Sequence, residues 1–313
     1  MKVLVSGSTA YDHIMSFDDD FKKHLFKGGM DHLSISFLVN KRESHYGGCA
    51  ANISYSLALF SIEPYLLSSV GMDFPKYQKW LNGSGVSTDF VVSDPNDFTA
   101  AAYILSDKEH NQITMFSPSA SGNKDLNYDL DSIDLDDFSC AIISPDVPKR
   151  MIDCYEYFKK HNFPYYFDPG QALPVLDKDE LVSMTVGSQG VFLNSYEASL
   201  LVDKTGLSLQ DLSMKVRFVV RTLGKDGVEL WVDGKMEVFP AVKVSNIVDS
   251  TGCGDAFRAG FLYGLLYDNN LEKACMMGNI AAVYALENLG TQNHSFSLAE
   301  FNERFISEYG LAP

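Results

Sequence analysis

Asp249 and Asp255 bracket a glycine turn, Gly252-Cys253-Gly254, in the stretch VDSTGCGDAFRAGFLYGLLY that runs from Val248 to Tyr267. An apolar helical pattern starts directly after the turn, so the turn reads as a loop that opens a helix. The first amides of a helix lack intrahelical partners and carry the positive end of its dipole, which suits an anion. Gly252 and Gly254 let the chain expose successive N–H groups with no Cβ in the way. A carboxylate next to such a hole is a poor phosphate ligand but a good base for a hydroxyl that attacks one. Asp255 with Gly252, Cys253 and Gly254 therefore points to phosphoryl transfer, against the plainer reading in which Asp255 only caps the helix. Ala256, Gly260 and Gly264 recur every fourth residue, a narrow small-residue face that predicts a helix lying close against a sheet.

The elements that must position this turn are read from the rest of the chain. KVLVSGSTAYD opens with a short apolar run ending at Gly7-Ser8, the form of a buried parallel strand followed by a loop. Asp12 lies just past that strand's predicted end, where a carboxylate can accept two hydrogen bonds from a vicinal diol or simply solvate a loop. HYGGCAANISYSLALF reads as a glycine pair followed by a helix. Gly48 would let backbone approach a ligand, and Asn52, one turn in, has the donor and acceptor that a ribose hydroxyl needs. AIISPD and YYFDPGQALP read as strands ending in Pro-containing loops at the same edge as Asp12, with Asp168 and Gln171 on the second. Asn194 and Glu197, three apart at a helix start, have the spacing of a capping box. Thr222 to Gly227, TLGKDG, is ordinary hairpin chemistry between two strands. Leu33, Ile35 and Phe37 alternate with Ser34 and Ser36 as a half-buried strand does, and Thr99–Leu105 and Ile113–Phe116 alternate likewise around SDKEHNQ. These segments predict a small separate sheet.

DSTGCGDAFRAG resembles the second signature of the ribokinase-like (PfkB) family of carbohydrate and nucleoside kinases, D-T-x-G-A/C-G-D, and HYGGCAANISYSLALF resembles its first. The resemblance runs in the family's order from Gly7 to His294. It implies a three-layer α/β/α domain over residues 1–313 with a mostly parallel central sheet. A β-sheet lid, from about residues 17–45 and 97–117, would close over the substrate and often forms a homodimer surface. It implies ATP and Mg²⁺, with K⁺ as a further candidate. Asp255 becomes the general base and the 252–254 amides the anion hole. Ser8, Asp12, Ser36, Gly48, Asn52, Tyr103, Phe116 and Gln171 become substrate contacts, the aromatics offering faces to a base. Thr222, Gly224 and Gly227 become the loop at the ATP phosphates, and Asn279 and Asn293 line the adenine or a monovalent-cation loop. Asn194 and Glu197 organise Mg²⁺ through water, and Asp249 shapes its loop or holds K⁺. GGCAAN, DPGQ, Arg258 and GTQNH are similar to bacterial adenosine or broad nucleoside kinases, whereas the D-x-N-x-R pattern of many sugar kinases is missing.

Composition bounds the alternatives. A chain of 313 residues, 46% hydrophobic and 21% charged, suffices for one large α/β domain with an appendage. Its formal charge of −16 predicts repulsion of nucleic acid and anionic membranes, though not of a neutral nucleoside or sugar. Five cysteines without a CxxC spacing speak against a disulfide framework or a structural zinc site and for the cytoplasm. No apolar run reaches membrane-span length, and no GxxxxGK[ST] or strand-linked GxGxxG occurs. The asp-rich segment Asn127–Phe138 lacks EF-hand spacing and reads as a solvated face. The expectation is transfer of the ATP γ-phosphoryl group to the 5′-hydroxyl of a nucleoside, adenosine first. A ribokinase-type sugar kinase and a non-catalytic nucleoside-binding regulator are the alternatives.

Overall fold

The computed structural model describes residues 1–25, 36–109, 111–244 and 246–313. The first half of the described chain runs β1 (Lys2–Ser6), β2 (Ala10–Ser16), α1 (Phe21–Leu25), β3 (Lys41–Gly47), α2 (Cys49–Leu59), β4 (Glu63–Leu67), β5 (Ser69–Gly71), α3 (Pro75–Gly83), β6 (Val92–Asp94), β7 (Ala100–Ser106) and β8 (Gln112–Ser117). The next part adds β9 (Cys140–Ile143), α4 (Pro148–Lys160), β10 (Tyr165–Phe167), α5 (Lys178–Gly187), β11 (Gly190–Asn194), α6 (Ser195–Thr205) and α7 (Leu209–Ser213). It closes with β12 (Phe218–Thr222), β13 (Val228–Val232), β14 (Lys235–Phe239), α8 (Cys253–Asp268), α9 (Leu271–Leu286) and α10 (Leu298–Tyr309).

Val3-Leu4-Val5 is apolar without a break because β1 is buried on both faces, as an inner parallel strand must be. The main sheet has the order β14-β13-β12-β11-β10-β9-β1-β4. It is parallel from β4 through β12, and β13 and β14 extend it antiparallel. Side chains alternate between two cores. Val3 and Val5 pack with α2, α3, α8, α9 and α10, whereas Leu4 packs with α4, α5, α6 and α7. This is the three-layer α/β/α arrangement with a mostly parallel sheet. Parallel register also sets the carboxyl ends of β1, β9, β10 and β11 along one edge, the usual place for a ligand in such folds.

A second sheet, β3-β2-β7-β8, stands apart as the lid. The expected hairpin around SDKEHNQ is β7–β8, paired antiparallel from Ala101↔Ser117 to Ser106↔Gln112. Two expectations change. Asp12 is inside β2, opposite His45 and Ala102, rather than on a loop after β1. The chain turns at Gly7 and Ser8 and enters the lid at once, so the lid begins at Ala10. The strand expected around Leu33, Ile35 and Phe37 is not where the partner of β2 lies. Leu33 and Ile35 fall outside the described residues, Ser36 and Phe37 lie outside any strand, and the partner is β3.

The small-residue face of α8 packs on helix α9 rather than on a sheet. A Cβ at Gly260 would stand 2.7 Å from Ala281 Cβ and 2.7 Å from the Met277 carbonyl oxygen, and one at Gly264 would meet Ala274 Cα at 2.9 Å. The two helices therefore approach backbone to backbone. Gly260→Ala would gain about 1 kcal/mol of helix propensity but lose about 1–3 kcal/mol to overpacking against backbone that cannot swing aside. A lowered urea midpoint is expected. Gly83→Ala, where a Cβ meets nothing within 4 Å, should leave the midpoint unchanged or raise it. A midpoint raised by Gly260→Ala would show that α8 and α9 have room to spare.

Candidate active site

Helix α8 starts at Cys253 because Gly252 takes the left-handed conformation, φ 77°, which turns the chain into the helix. Its first intrahelical bond runs from Ala256 N to Gly252 O, and the amides of Gly254 and Asp255 have no backbone acceptor. The Cys253 amide leans on Ser250 O at 3.3 Å, so it is less open than expected. Asp249 ties this loop down. Its two carboxylate oxygens accept from Thr251 N and Gly290 N, each at 2.9 Å. Burial works to raise its pKa, but these amides outweigh it and hold Asp249 below the usual carboxylate range. Asp249 thus bridges the start of the glycine turn and the loop after α9.

Asp255, in the first turn of α8, is half-buried, and burial pushes its carboxyl up to about 6. Arg258 and the Asn52 amide pull it down, while Asp168 and Asp12 push it further up. Asn52 Nδ2 donates to Asp255 Oδ2 at 2.8 Å. Asn52 is buried, so it serves first as the partner of Asp255 rather than as the free ribose ligand the sequence suggests. Asp12 faces the same space from the lid, its carboxyl also raised to about 6, by burial and then by Asp249.

Helix α2 begins directly beneath the lid. Gly48 has φ 92°, and a Cβ there would stand 2.6 Å from Ser8 O and Thr9 Cα, so only glycine lets α2 start against the β1–β2 link. Ser8 receives that helix end, its hydroxyl accepting from Cys49 N at 3.1 Å and its carbonyl from Ala50 N at 3.1 Å. Gln171, on the loop after β10, reaches Cys49 Sγ at 3.8 Å. Ser8, Asp12, Gly48, Asn52, Gln171, Asp249 and the 252–255 turn are therefore neighbours.

Arg258, one turn along α8 from Asp255, is buried and paired with Asp168 at the end of β10, through Nη2 at 2.9 Å and through Nε. Against its burial, the carboxylates of Asp168, Asp255 and Glu197 hold the guanidinium charged. Gly254 leaves room for it, since a Cβ there would stand 2.8 Å from Arg258 Nη1. Asn194 and Glu197 form the complete capping box of α6, with Asn194 N donating to Glu197 Oε2 at 2.7 Å and Glu197 N to Asn194 Oδ1 at 2.8 Å. Burial, then Asp168, raises the Glu197 carboxyl. Among the described residues the box occupies Oε2 and no donor meets Glu197 Oε1, an oxygen that could hold Mg²⁺ through its waters. Thr222 is paired with Asn194 across β11 and β12, and Gly224 and Gly227 shape the turn into β13.

Four expected contacts lie apart from this cluster. Alternation along β2, β7 and β8 puts Asp12, Ala102 and Phe116 on one face of the lid and Tyr103, His13 and Met115 on the other. Tyr103 therefore packs against His13, ring centroids 5.1 Å apart, away from Asp12, while Phe116 shares the Asp12 face. Asn279 is buried and spends its amide on Pro240 O, and Asn293 is exposed and donates to Leu289 O. Ser36 is exposed beside the segment that is not described. Gln292, Tyr77 and Trp80, which the sequence does not single out, converge behind Asn52. Only GTQNH, already notable as a motif, offered a signal for any of them.

The sequence pattern of the pfkB family carbohydrate kinases matches residues 3–297. The chain is 27% identical over 298 residues to a nucleoside kinase of Methanocaldococcus jannaschii, covering 94% of this chain and 93% of that one. Its fold is similar to that of Burkholderia thailandensis nucleoside kinase in complex with inosine, with 30% identity, a TM-score of 0.84, and coverage of 100% and 99% of the two chains. The ADP-inosine complex of that enzyme is similar too, with 31% identity, a TM-score of 0.83, and coverage of 100% and 97%. A pattern matched over nearly the whole chain, on a fold with this sheet and lid, places the protein in the pfkB family of carbohydrate kinases, as a phosphotransferase acting on a hydroxyl group.

Proposed function

We propose that the protein transfers the γ-phosphoryl group of ATP to the 5′-hydroxyl of a nucleoside, adenosine being the first candidate. The observation that carries this reading is Asp255. It is a carboxylate in the first turn of α8, beside open helix amides, oriented by Asn52 and facing Asp12. The similarity to an enzyme whose structures hold inosine and ADP-inosine supports the choice of a nucleoside acceptor and ATP.

In this reading Asp12 accepts the hydroxyls of the ribose diol, and Phe116 on the same lid face offers its ring to the base. The 5′-hydroxyl then points at Asp255. As the new oxygen–phosphorus bond forms, Asp255 takes the hydroxyl proton, and the bond from the γ-phosphorus to the bridging oxygen breaks to leave ADP. The amides of Gly252, Cys253 and Gly254 stabilise charge on the group in transit, those of Gly252 and Gly254 being freer than that of Cys253. Thr222, Gly224 and Gly227 lie at the strand ends where the phosphates would pass. Glu197 and Asn194 would hold Mg²⁺ through water, and the ion would neutralise phosphate charge. Among the described residues, the buried cation at this edge, Arg258, is committed to Asp168 rather than free to meet a phosphorylated acceptor. That favours a neutral nucleoside.

A base must be ionised to act, so turnover should rise with pH through about 6, where the Asp255 carboxyl titrates. Asp12 also titrates near 6, so the acid limb of kcat/KM should be steeper than one proton, and Asp12→Asn should reduce it to one. A limb near pH 4 would contradict the assignment. Asp12→Asn should act mainly on nucleoside KM, because the diol is bound in both ground and transition states.

Asp255→Asn should lower kcat by about a hundredfold or more with nucleoside binding retained. It should also make the protein more stable at pH 8. A carboxyl raised from its ordinary 3.8 to about 6 adds stability below pH 4 and loses it as pH rises through 6. Two units correspond to roughly 3 kcal/mol, of which the half-exposed site retains a part. Thermal unfolding of Asp255→Asn and the parent at pH 8 and pH 4 tests this: the gain should vanish at pH 4. Assays with Mg-ATP across adenosine, inosine, guanosine, cytidine, ribose and fructose test the substrate. Preference for a free sugar would sink the nucleoside reading, and binding without ADP release would make the protein a regulator.

A further inference from the structure

Behind Asp255 runs a chain of side-chain hydrogen bonds whose polarity is set at both ends. Trp80 Nε1 donates to Gln292 Oε1 at 3.1 Å, and Gln292 Nε2 donates to Asn52 Oδ1 at 2.9 Å. Asn52 Nδ2 then donates to Asp255 Oδ2 at 2.8 Å. An indole N–H can only donate, and an ionised carboxylate can only accept. With both ends of fixed polarity, each amide between them has one consistent orientation. Reversing Asn52 would set its NH₂ against the NH₂ of Gln292 and its carbonyl against the Asp255 carboxylate. Gln292 is 2% exposed and Asn52 4%, so no bulk water stands ready to repair a reversed amide. Gln292 Nε2 also donates to the Tyr77 hydroxyl, which donates to Gly47 O at 2.9 Å, where lid strand β3 meets helix α2. The neighbouring Thr291 hydroxyl donates to Tyr46 O at 2.6 Å.

We propose that Gln292 is a positioning residue for phosphoryl transfer: anchored by Trp80, it holds the Asn52 amide in the orientation that donates to Asp255, and through Tyr77 it ties that orientation to the junction of lid strand β3 with α2 at Gly47. The inference rests on Asp255 being the base. Asn52 is one of several groups acting on Asp255, the others being Asp12 from β2, Asp168 from the end of β10, Arg258 from α8, and the thiols of Cys49 on α2 and Cys253 on α8. Asn52 is the one among them whose sign can be reversed without changing its identity, because an amide presents either a donor or an acceptor.

The test is kcat and KM from pH 5 to 9, with Mg-ATP and the preferred nucleoside, for Gln292→Glu, Gln292→Leu and Trp80→Phe. Gln292→Glu keeps the shape, but once its carboxyl ionises it can only accept, so Asn52 turns its NH₂ toward it and its carbonyl toward Asp255. A hydrogen bond to a charged group is then lost and replaced by repulsion, so kcat should fall about tenfold to a hundredfold. Nucleoside KM should stay within about threefold, and the acid limb should move up by about one pH unit. Gln292→Leu removes the restraint without reversing it and should lose less, with a smaller shift. Equal losses in the two variants with an unmoved acid limb would mean that Gln292 only packs, and would overturn the proposal. If Gln292→Glu does not fold, Trp80→Phe carries the test: its acid limb should move up in the same direction, and an unmoved limb overturns the proposal. Asp255→Asn separates the two levels. Normal turnover there would remove the base assignment itself, whereas an inactive Asp255→Asn beside unmoved limbs in the Gln292 variants would remove only the relay.

Discussion

The site depends on one constraint of charge. Asp12, Asp168, Glu197 and Asp255 converge on the carboxyl edge of the main sheet, and among them stands a single buried guanidinium, Arg258. Asp168 takes most of that cation through a two-point ion pair. Breaking a buried pair by removing one partner typically costs about 3–5 kcal/mol, because the other charge is left stranded. The strands that carry these acids cannot move apart without exposing that cost, so the pair staples β10 to α8. What remains of the Arg258 field falls on Asp255 and Glu197. Asp255 is thus kept in the range where it is ionised at neutral pH yet still basic enough to accept a proton, which burial alone would overshoot.

The second organising element is the loop Gly290–His294, after α9. Its backbone and side chains reach four separate parts of the molecule. Gly290 N holds Asp249, Thr291 holds Tyr46, Gln292 holds Asn52 and Tyr77, and the His294 carbonyl accepts from the Tyr55 hydroxyl. Beside the packed rings of Tyr11, Tyr46, Tyr77 and Trp80, these polar bonds fix the lid, the glycine turn and helix α2 relative to one another. Such bonds are directional and can be remade in a second geometry, whereas the packed cores on either side of the sheet cannot. The sheet and helices are held by packed side chains, and the lid adds directional hydrogen bonds to its own aromatic contacts.

Residue pattern was sufficient wherever neighbours along the chain are also neighbours in space. The unbroken apolar runs of β1 and β9, the β7–β8 hairpin, the Asn194–Glu197 box and the glycine turn opening α8 all follow from periodicity, capping and turn chemistry within a few residues. The same local logic misjudged Asp12, because a strand of the lid and a loop after β1 look alike over three residues. It also misjudged the Gly260–Gly264 face, because a close-packed helix and a close-packed sheet ask for the same small residues. Tyr103 and Phe116 each alternate correctly within their strands. Which face meets the site depends on register across three strands, and no single strand carries that information.

The sequence by itself therefore determined the family, the α/β layering and the identity of the carboxylate at the head of α8, since motif, period and turn are short-range properties. Only the tertiary structure decided how that carboxylate is held. Asn52 is 203 residues from Asp255, Gln292 is 240 from Asn52, and Asp168 is 90 from Arg258. A hydrogen bond between polar side chains leaves no periodic trace in a sequence. It exists because the two groups are buried together and each must find a partner once water is excluded.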